Sequence, residues 1–253
     1  MAYYDRKNRK LDERNMEYLD SGGFANIYFD GEKILKVYHL DSLNPFQGKI
    51  TLEVFDLLKE IKHPNFMELL DIYSELNLFG RLYRKFNFSD EFFIHAYTAK
   101  YYRKDVINPL LENKDYLLDN LNGIDHLCTL LTKLRIRLDD LRTENTIFTN
   151  EKMIIIDPDY FRLTTSPLDK LAIHNKESLF ALIKDICSSY LEEVLFQENP
   201  TLTSSQRIIS ADKIVNKQFN EIHITEQTDI PAVLSKRLKS VKKPVELFRR
   251  EQN

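Results

Sequence analysis

The sequence has few cysteines, no long apolar run and almost no net charge, and each shortage excludes a class of protein. Cys128 and Cys187 are the only cysteines among 253 residues, so a disulfide-built scaffold is excluded. Both thiols lie in helical apolar patterns, and we expect them to be buried and free, as in a reducing cytoplasm.

No stretch approaches the roughly eighteen uncharged apolar residues of a membrane span. Residues 1–15 are charged and lack the apolar core of a secretory signal, so a cytoplasmic location is expected, with a non-classical export route left open. The net charge of −3 favours neither nucleic acid nor a membrane as the main partner.

Residues 138–161 hold the most informative pattern in the chain. Residues 146–148 and 153–156 are apolar, largely β-branched runs on either side of the turn residues 149–152. Such runs around an Asn-containing turn predict a β-hairpin.

Asn145 stands just before the first strand of this hairpin, and Asp157 stands just after the second. The hairpin therefore brings the two side chains to one end, where a carboxylate and an amide oxygen suit Mg²⁺, with Mn²⁺ as an alternative. Asp140 lies in the loop before the first strand, where its carboxylate could accept a proton from a hydroxyl. The structural alternative for Asp140 and Asn145 is a capped turn.

This layout resembles the catalytic loop and metal-binding turn of the protein kinases, H-R-D-x-x-x-x-N followed by D-F-G. Asp140, Asn145 and Asp157 match that pattern in order and spacing. The resemblance implies that Asn145 and Asp157 hold Mg²⁺ on ATP and that the catalytic Asp140 orients the acceptor hydroxyl. The departures from the family pattern are Leu138, Asp139, Pro158 and Asp159. Asp159 is left open as a further metal ligand or a turn residue.

Residues 18–38 predict three antiparallel strands, with turns at Gly22-Gly23 and Asp30-Gly31. The first turn resembles the kinase glycine-rich loop, G-x-G-x-x-G-x-V, of which it keeps the middle glycine. Small residues let backbone N–H groups approach phosphates, so the resemblance implies a nucleotide-binding turn. Its residues are Gly22, Gly23, Phe24 and Ala25. The alternative is an ordinary hairpin turn whose glycines supply a positive φ.

Lys36 lies in the third of these strands, in a run that resembles the kinase V-A-I-K. A lysine between Leu35 and Val37 on a half-buried strand needs a partner for its charge. The resemblance implies that Lys36 binds the nucleotide phosphates and pairs with a glutamate on the next helix. Residues 50–62 predict that helix, on which Glu53 is the expected partner and Glu60 the other candidate.

The passage from this helix into a fourth strand, His63–Tyr73, also resembles the kinases. Residues 80–86 are then expected to form a fifth strand, and residues 85–88 the hinge. The aromatic and basic stretch 92–112 predicts a helix that buries its aromatic face rather than a surface for single-stranded nucleic acid. Further on, the pattern predicts an amphipathic helix over residues 115–134 and an apolar helix over residues 176–195.

The fold class expected from these patterns is α+β, a bilobal protein-kinase-like fold with a small β-rich N-lobe and a reduced, mainly helical C-lobe. The predicted organisation is a polar arm (1–17), the N-lobe (18–86), the C-lobe (87–199) and its remainder (200–253), which carries a basic segment at 236–250.

Three functions are compatible with the residues. The expected one is an ATP- and Mg²⁺-dependent Ser/Thr protein kinase, whose partner is a protein substrate rather than nucleic acid or a membrane. The second is a small-molecule kinase resembling the aminoglycoside and choline kinases, which share the Asp-x4-Asn and the later Asp. The third is a nucleotide-binding pseudokinase scaffold.

Overall fold

The structure is a computed structural model that describes residues 3–5, 7, 9–11, 16–39, 50–75, 96–103, 112–219, 222–239, 244 and 246. The chain forms two compact units. The first comprises Met1–Tyr102 with Pro158–Arg162, and the second comprises Arg103–Asp157 with Leu163–Asn253. The predicted lobe boundary between residues 86 and 87 lies outside the described residues, as do the predicted fifth strand and hinge.

The described part of the first unit is built on a six-stranded antiparallel sheet. Its strands are β1 (Tyr3–Tyr4), β2 (Glu17–Ser21), β3 (Ala25–Phe29), β4 (Lys33–Tyr38), β5 (Leu69–Glu75) and β6 (Ala96–Lys100). They lie side by side in the order β1-β5-β6-β4-β3-β2. The predicted meander of three strands within residues 18–38 is therefore confirmed.

The turn between β3 and β4 shows why the sequence folds there. Gly31 has a φ of 103°, a left-handed conformation that side chains other than glycine rarely adopt. The Asp30 carboxylate accepts the backbone N–H groups of Glu32 at 3.1 Å and Lys33 at 2.9 Å. The Asp-Gly pair thus provides acceptors for the backbone N–H groups of the turn and sets the register of the hairpin.

The expected aromatic helix in residues 92–112 is wrong for its described centre, which is strand β6. This strand lies between β4 and β5, and residues 96–99 are all buried. A short segment covered on both faces has no alternation in the sequence, so it cannot be told from a buried helix by its period. Pairing with β4 and β5 decided the outcome.

The helix predicted after the third strand is α1 (Leu52–Lys59). Thr51 caps it by accepting the Val54 N–H at 3.3 Å. Its buried residues are Val54, Phe55 and Leu58.

The polar arm joins the sheet through β1, which pairs with β5. Asp5, which is 3% exposed, accepts the backbone N–H groups of Lys7 at 2.9 Å and Arg9 at 2.7 Å. Leu11 is buried in a hydrophobic cluster with Leu35 of β4, among other residues of the sheet. The described part of the arm is thus packed onto the unit.

The second unit is mainly helical. Its described elements are α2 (Lys114–Lys133), β7 (Ile136–Arg137), a 3₁₀ turn (Thr143–Asn145), β8 (Thr146–Phe148), β9 (Met153–Ile155), α3 (Leu168–Glu198), α4 (Ser204–Phe219) and α5 (Ile230–Leu238). A two-residue strand, β10 (Arg162–Leu163), stands where the chain passes from the first unit's segment to the second unit. Helix α3 packs against both α2 and α4.

The predicted helices 115–134 and 176–195 are confirmed as α2 and as part of the longer α3. Cys128 and Cys187 lie on them as buried free thiols. Within the described residues, no helix is both long and apolar enough to cross a membrane.

These elements confirm the predicted α+β class: an antiparallel sheet in the N-terminal part of the chain and a mainly helical C-terminal part. This arrangement is consistent with a kinase-like fold.

Candidate active site

In the first unit, Lys36 is buried and paired with a carboxylate. Its Nζ lies 2.7 Å from Oδ2 of Asp159, and the two side chains are 9% and 4% exposed. Asp159 belongs to the short segment Pro158–Arg162 that packs with this unit. The expected charge partner for a buried lysine is thus present, and it is the residue that the sequence left open.

A tyrosine of the same strand fixes the other oxygen of this carboxylate. The Tyr38 hydroxyl donates to Oδ1 of Asp159 at 2.5 Å and accepts the Ile50 N–H at 3.4 Å. Lys36 and Tyr38 are two residues apart on β4, so their side chains lie on the same face of the sheet. The strand therefore holds both ends of the Asp159 carboxylate.

Aromatic packing anchors the segment that carries Asp159. The Phe161 ring stacks on Phe66, with centroids 6.1 Å apart, and its N–H donates to the Pro158 carbonyl at 2.9 Å. Phe66 comes from the passage after α1 that resembles the kinases. The hydrogen bond to Pro158 and the packing of Phe161 on Phe66 together fix the position of Asp159.

The glycine turn between β2 and β3 is closed by the Gly22 N–H, which donates to the Ala25 carbonyl at 2.9 Å. Neither Gly22 nor Gly23 has a positive φ, so turn geometry does not require glycine at either position. A Cβ at Gly23 would meet no atom within 4 Å. Phe24 is partly exposed at 37%, and Ala25 is buried.

These findings contradict the interpretation that the two glycines supply a positive φ. What Gly23 provides is open space beside the backbone, which is the property that a phosphate-binding turn needs.

Glu53, the expected helix partner of Lys36, is exposed in the first turn of α1, and Glu60 is exposed at its end. The Asp159 carboxylate lies at ion-pair distance from Lys36. Sequence reasoning left Asp159 open as a metal ligand or a turn residue and did not pair it with Lys36. Its signal was a carboxylate set between the Ile-rich strand and Tyr160-Phe161, where burial demands a charged partner.

In the second unit, the structure brings Asp140 and Asn145 together. The Asn145 amide nitrogen donates to the Asp140 backbone carbonyl at 2.9 Å. Because the donor end of the amide is used there, its acceptor end, Oδ1, is the atom suited to a cation. The Asp140 carboxylate lies 2.5 Å from Nε of Arg142, whose side chain is 67% exposed. Such an exposed pair is weak, so a substrate group can displace it.

The hairpin that follows is the one predicted, with Thr146 opposite Ile155 and Phe148 opposite Met153. At its open end the Ile156 N–H donates to the Asn145 carbonyl at 2.9 Å. Asp157 is the next residue, so the backbone carries Asn145 and Asp157 to the same end of the hairpin.

Asp140 and Asp157 both have left-handed backbones, with φ values of 58° and 63°. A residue other than glycine held in this region costs on the order of 1–3 kcal/mol and persists only where its surroundings impose it. The two acids expected at the site therefore share a conformation that is common at functional positions.

Polar side chains of helix α3 make hydrogen bonds to the backbone of this loop. Asn175 is 0% exposed; it accepts the Leu138 N–H at 2.9 Å and donates to the Ile136 carbonyl at 3.0 Å. Ser178 donates to the Leu138 carbonyl at 2.8 Å. These bonds satisfy the backbone of the residues that lead into Asp140, and so they fix its position.

Asp139, the neighbour of Asp140, is bound elsewhere. Its Oδ2 pairs with Nη2 of Arg137 at 2.7 Å, and its Oδ1 lies 3.0 Å from Nε2 of His174. Asp139 thus acts as a structural contact between the loop and α3. Of the two adjacent acids, Asp140 is the better candidate for meeting a substrate.

Within the residues the structure describes, no group of three or more His, Cys, Asp or Glu side chains could hold a metal ion. The donor set at the hairpin end is one carboxylate and one amide oxygen, both of the hard type that Mg²⁺ prefers. Mg²⁺ usually binds through one or two protein groups, with waters and substrate phosphates supplying the rest. Asn145 and Asp157 are therefore chemically suited to supply part of the coordination of a Mg²⁺ ion.

No protein-family model matches the sequence. Among solved structures, the chain is similar to the kinase PK-1 of the Cydia pomonella granulovirus, with 16% sequence identity and a TM-score of 0.39. The match covers 60% of this chain and 57% of the viral chain, which is less than two thirds of that protein's length. At this identity and TM-score, the similarity implies nothing about the chemistry of this chain.

Proposed function

We propose that the chain is an ATP- and Mg²⁺-dependent phosphotransferase that acts on a hydroxyl group, with a protein Ser or Thr as the acceptor. The observation that carries the proposal is the loop and hairpin of the second unit. There the Asn145 amide binds the Asp140 carbonyl, and the paired strands end at Ile155, two residues before Asp157. Lys36, a buried lysine with a fixed carboxylate partner, adds a cation suited to phosphate.

Each residue has one role in this proposal. Lys36 binds phosphate oxygens of ATP, and Gly22–Ala25 lie over the phosphates. Asn145 and Asp157 hold the Mg²⁺, which neutralises phosphate charge when bound. Asp140 orients the acceptor hydroxyl and takes its proton.

In the proposed transfer, one bond to the γ-phosphorus forms and one breaks. The acceptor oxygen forms a bond to the γ-phosphorus while the bond to the β–γ bridging oxygen breaks, so ADP leaves. Phosphoryl transfer depends mainly on positioning and charge stabilisation, which agrees with a site made of a few fixed charges.

A small-molecule acceptor is the second candidate, because the segment after Asp157 is short. Helix α3 begins at Leu168, so only residues 158–167 separate it from Asp157. A protein kinase needs room for a peptide-binding segment there, whereas a kinase of the aminoglycoside or choline type does not.

The test is to incubate the purified chain with γ-labelled ATP and Mg²⁺, alone, with a protein lysate, and with a small-molecule extract. Label in a protein band supports the proposal, and label only in a small molecule supports the second candidate. Asp157→Ala should abolish labelling in either case, whereas Asp119→Ala, an exposed acid on α2, should leave it unchanged.

Thermal stabilisation gives a second readout. Because Asn145 and Asp157 supply only part of a metal's ligands, ATP should raise the melting temperature more when Mg²⁺ is present. Equal stabilisation with and without Mg²⁺, unchanged in Asp157→Ala and without any label transfer, would indicate a pseudokinase.

A further inference from the structure

The further inference concerns Asp159, and it rests on the proposed role of Lys36 in phosphate binding. Asp159 is among the most buried acids that the structure describes, at 3% exposed, and its two oxygens bind different donors. Oδ2 binds the Lys36 ammonium at 2.7 Å, and Oδ1 accepts the Tyr38 hydroxyl at 2.5 Å. The carboxylate is thus held on both sides by one strand, β4.

We propose that Asp159 is the positioning residue that holds Lys36 for the nucleotide phosphates, the role that the kinase resemblance gives to the glutamate on the helix. Glu53, the expected helix residue, is exposed in the first turn of α1. Asp159 acts through Lys36 and not on the reacting atoms.

The physical reason is the burial of Lys36. A lysine side chain that is only 9% exposed loses most of the water around its charge, and an opposite charge must replace that hydration. A lysine has three N–H donors, so binding Asp159 still allows a hydrogen bond to a phosphate oxygen. The pair therefore keeps the ammonium charged and aimed before the nucleotide binds.

The segment around Asp159 is built to keep the carboxylate in place. Phe161 stacks on Phe66, and the Phe161 N–H closes the turn on the Pro158 carbonyl. Arg162 adds hydrogen bonds to the carbonyls of Asp159 and Phe161. A carboxylate that only closed a turn would need neither a buried lysine nor a tyrosine.

A competing role for Asp159 is direct metal binding. Both of its oxygens already accept strong donors, Lys36 and Tyr38, which draws electron density away from a metal. The two roles predict different dependence on Mg²⁺, so they can be separated by titration.

The experiment measures ATP·Mg²⁺ and adenosine affinity for the full chain and for Lys36→Met, Asp159→Asn and the double variant. Asp159→Asn should weaken ATP binding by about tenfold, the usual effect of losing a charged hydrogen-bond partner. Adenosine affinity should stay within about twofold, because adenosine has no phosphate for Lys36 to bind. In the Lys36→Met background, Asp159→Asn should cause no further loss.

Asp159→Asn removes a negative charge next to the buried Lys36 ammonium, so melting temperatures are measured first. Tyr38→Phe is the second variant, because it keeps both charges and removes only the hydroxyl that fixes Oδ1. It should weaken ATP binding by a smaller factor, about threefold, with adenosine affinity unchanged.

Four results would overturn the inference while leaving the proposed function intact. They are unchanged ATP affinity in Asp159→Asn, equal losses for ATP and adenosine, additive losses in the double variant, and a larger loss in Glu53→Gln than in Asp159→Asn. A raised Mg²⁺ requirement in Asp159→Asn but not in Lys36→Met would make Asp159 a metal ligand instead. If the wild-type chain binds no ATP, the proposed function fails, and the phosphate role of the pair fails with it.

Discussion

Thr143 donates both its backbone N–H, at 2.8 Å, and its hydroxyl, at 2.6 Å, to the same carboxylate oxygen of Asp185. Thr143 opens the 3₁₀ turn that ends at Asn145, and Asp185 lies on α3. The helix therefore fixes the turn that carries the expected metal ligand.

Asp185→Ala should destabilise the chain by about 1–3 kcal/mol, because two partly buried donors lose their acceptor. Turnover should fall as well, since the turn carries Asn145, the proposed metal ligand, whose amide also binds the Asp140 carbonyl. Urea unfolding and steady-state phosphorylation measure the two effects. Asp185→Asn, which keeps an oxygen acceptor, should recover most of both, and Asp212→Ala, an exposed acid on α4, is the control. A variant that loses stability but keeps full turnover would show that the contact serves folding alone.

The two acids of the proposed site should differ in their effect on binding. Asp140→Ala should depress transfer while ATP·Mg²⁺ affinity stays near wild type, because its carboxylate does not touch the metal. Asp157→Ala should depress both, since a direct ligand is lost. Nucleotide titration beside the phosphorylation assay checks this. Full activity in Asp140→Ala, or a loss of binding as severe as in Asp157→Ala, would reject the assignment and make Asp139 the next acid to test.

The two buried thiols should make the protein sensitive to alkali. Burial raises the pKa of Cys187 from 9.0 to about 12, and burial likewise raises the pKa of Cys128 well above its usual range. Below pH 9 both thiols are protonated in the folded and the unfolded chain, so their ionisation does not lower the free energy of unfolding. Above it, the unfolded chain releases protons that the folded chain keeps, and stability falls by about 1.4 kcal/mol per pH unit for each thiol.

Urea unfolding between about pH 8 and about pH 10 measures that slope. A Cys128→Ala/Cys187→Ala double variant should have a flatter dependence, whatever its stability at neutral pH. Parallel slopes for the two proteins would mean that the thiols are accessible to solvent in the folded chain.

The N-terminal arm should lose its support in acid. Burial works against the charge of Asp5, but hydrogen bonds from Arg9 and Lys7 outweigh it and lower the pKa of this carboxyl. Its contribution to stability is therefore present above the unfolded value of 3.8 and is lost as the pH falls through the lower folded value. Asp5→Asn should melt at a lower temperature than wild type at neutral pH, and the difference should shrink in strong acid. Thermal unfolding at the two pH values checks this, and a constant difference would mean that the carboxylate charge is not involved.

Local patterns in the sequence were sufficient for much of the fold. The hairpin of β8 and β9, the meander of β2 to β4 and the helices α1 and α2 each follow from side-chain period and turn residues over a few positions. The arrangement of Asp140, Asn145 and Asp157 was also predicted from the sequence, because the two ends of a short hairpin lie side by side. These features depend on interactions between residues close in the chain.

Tertiary structure alone decided two other features. Strand β6 has no alternation that distinguishes it from a buried helix, and its pairing with β4 and β5 settled its conformation. The partner of Lys36 was decided in the same way, because Asp159 lies more than a hundred residues away and Glu53 only seventeen. Sequence shows that a buried lysine needs a counter-charge, whereas the packing of Phe161 on Phe66 determines which carboxylate reaches it.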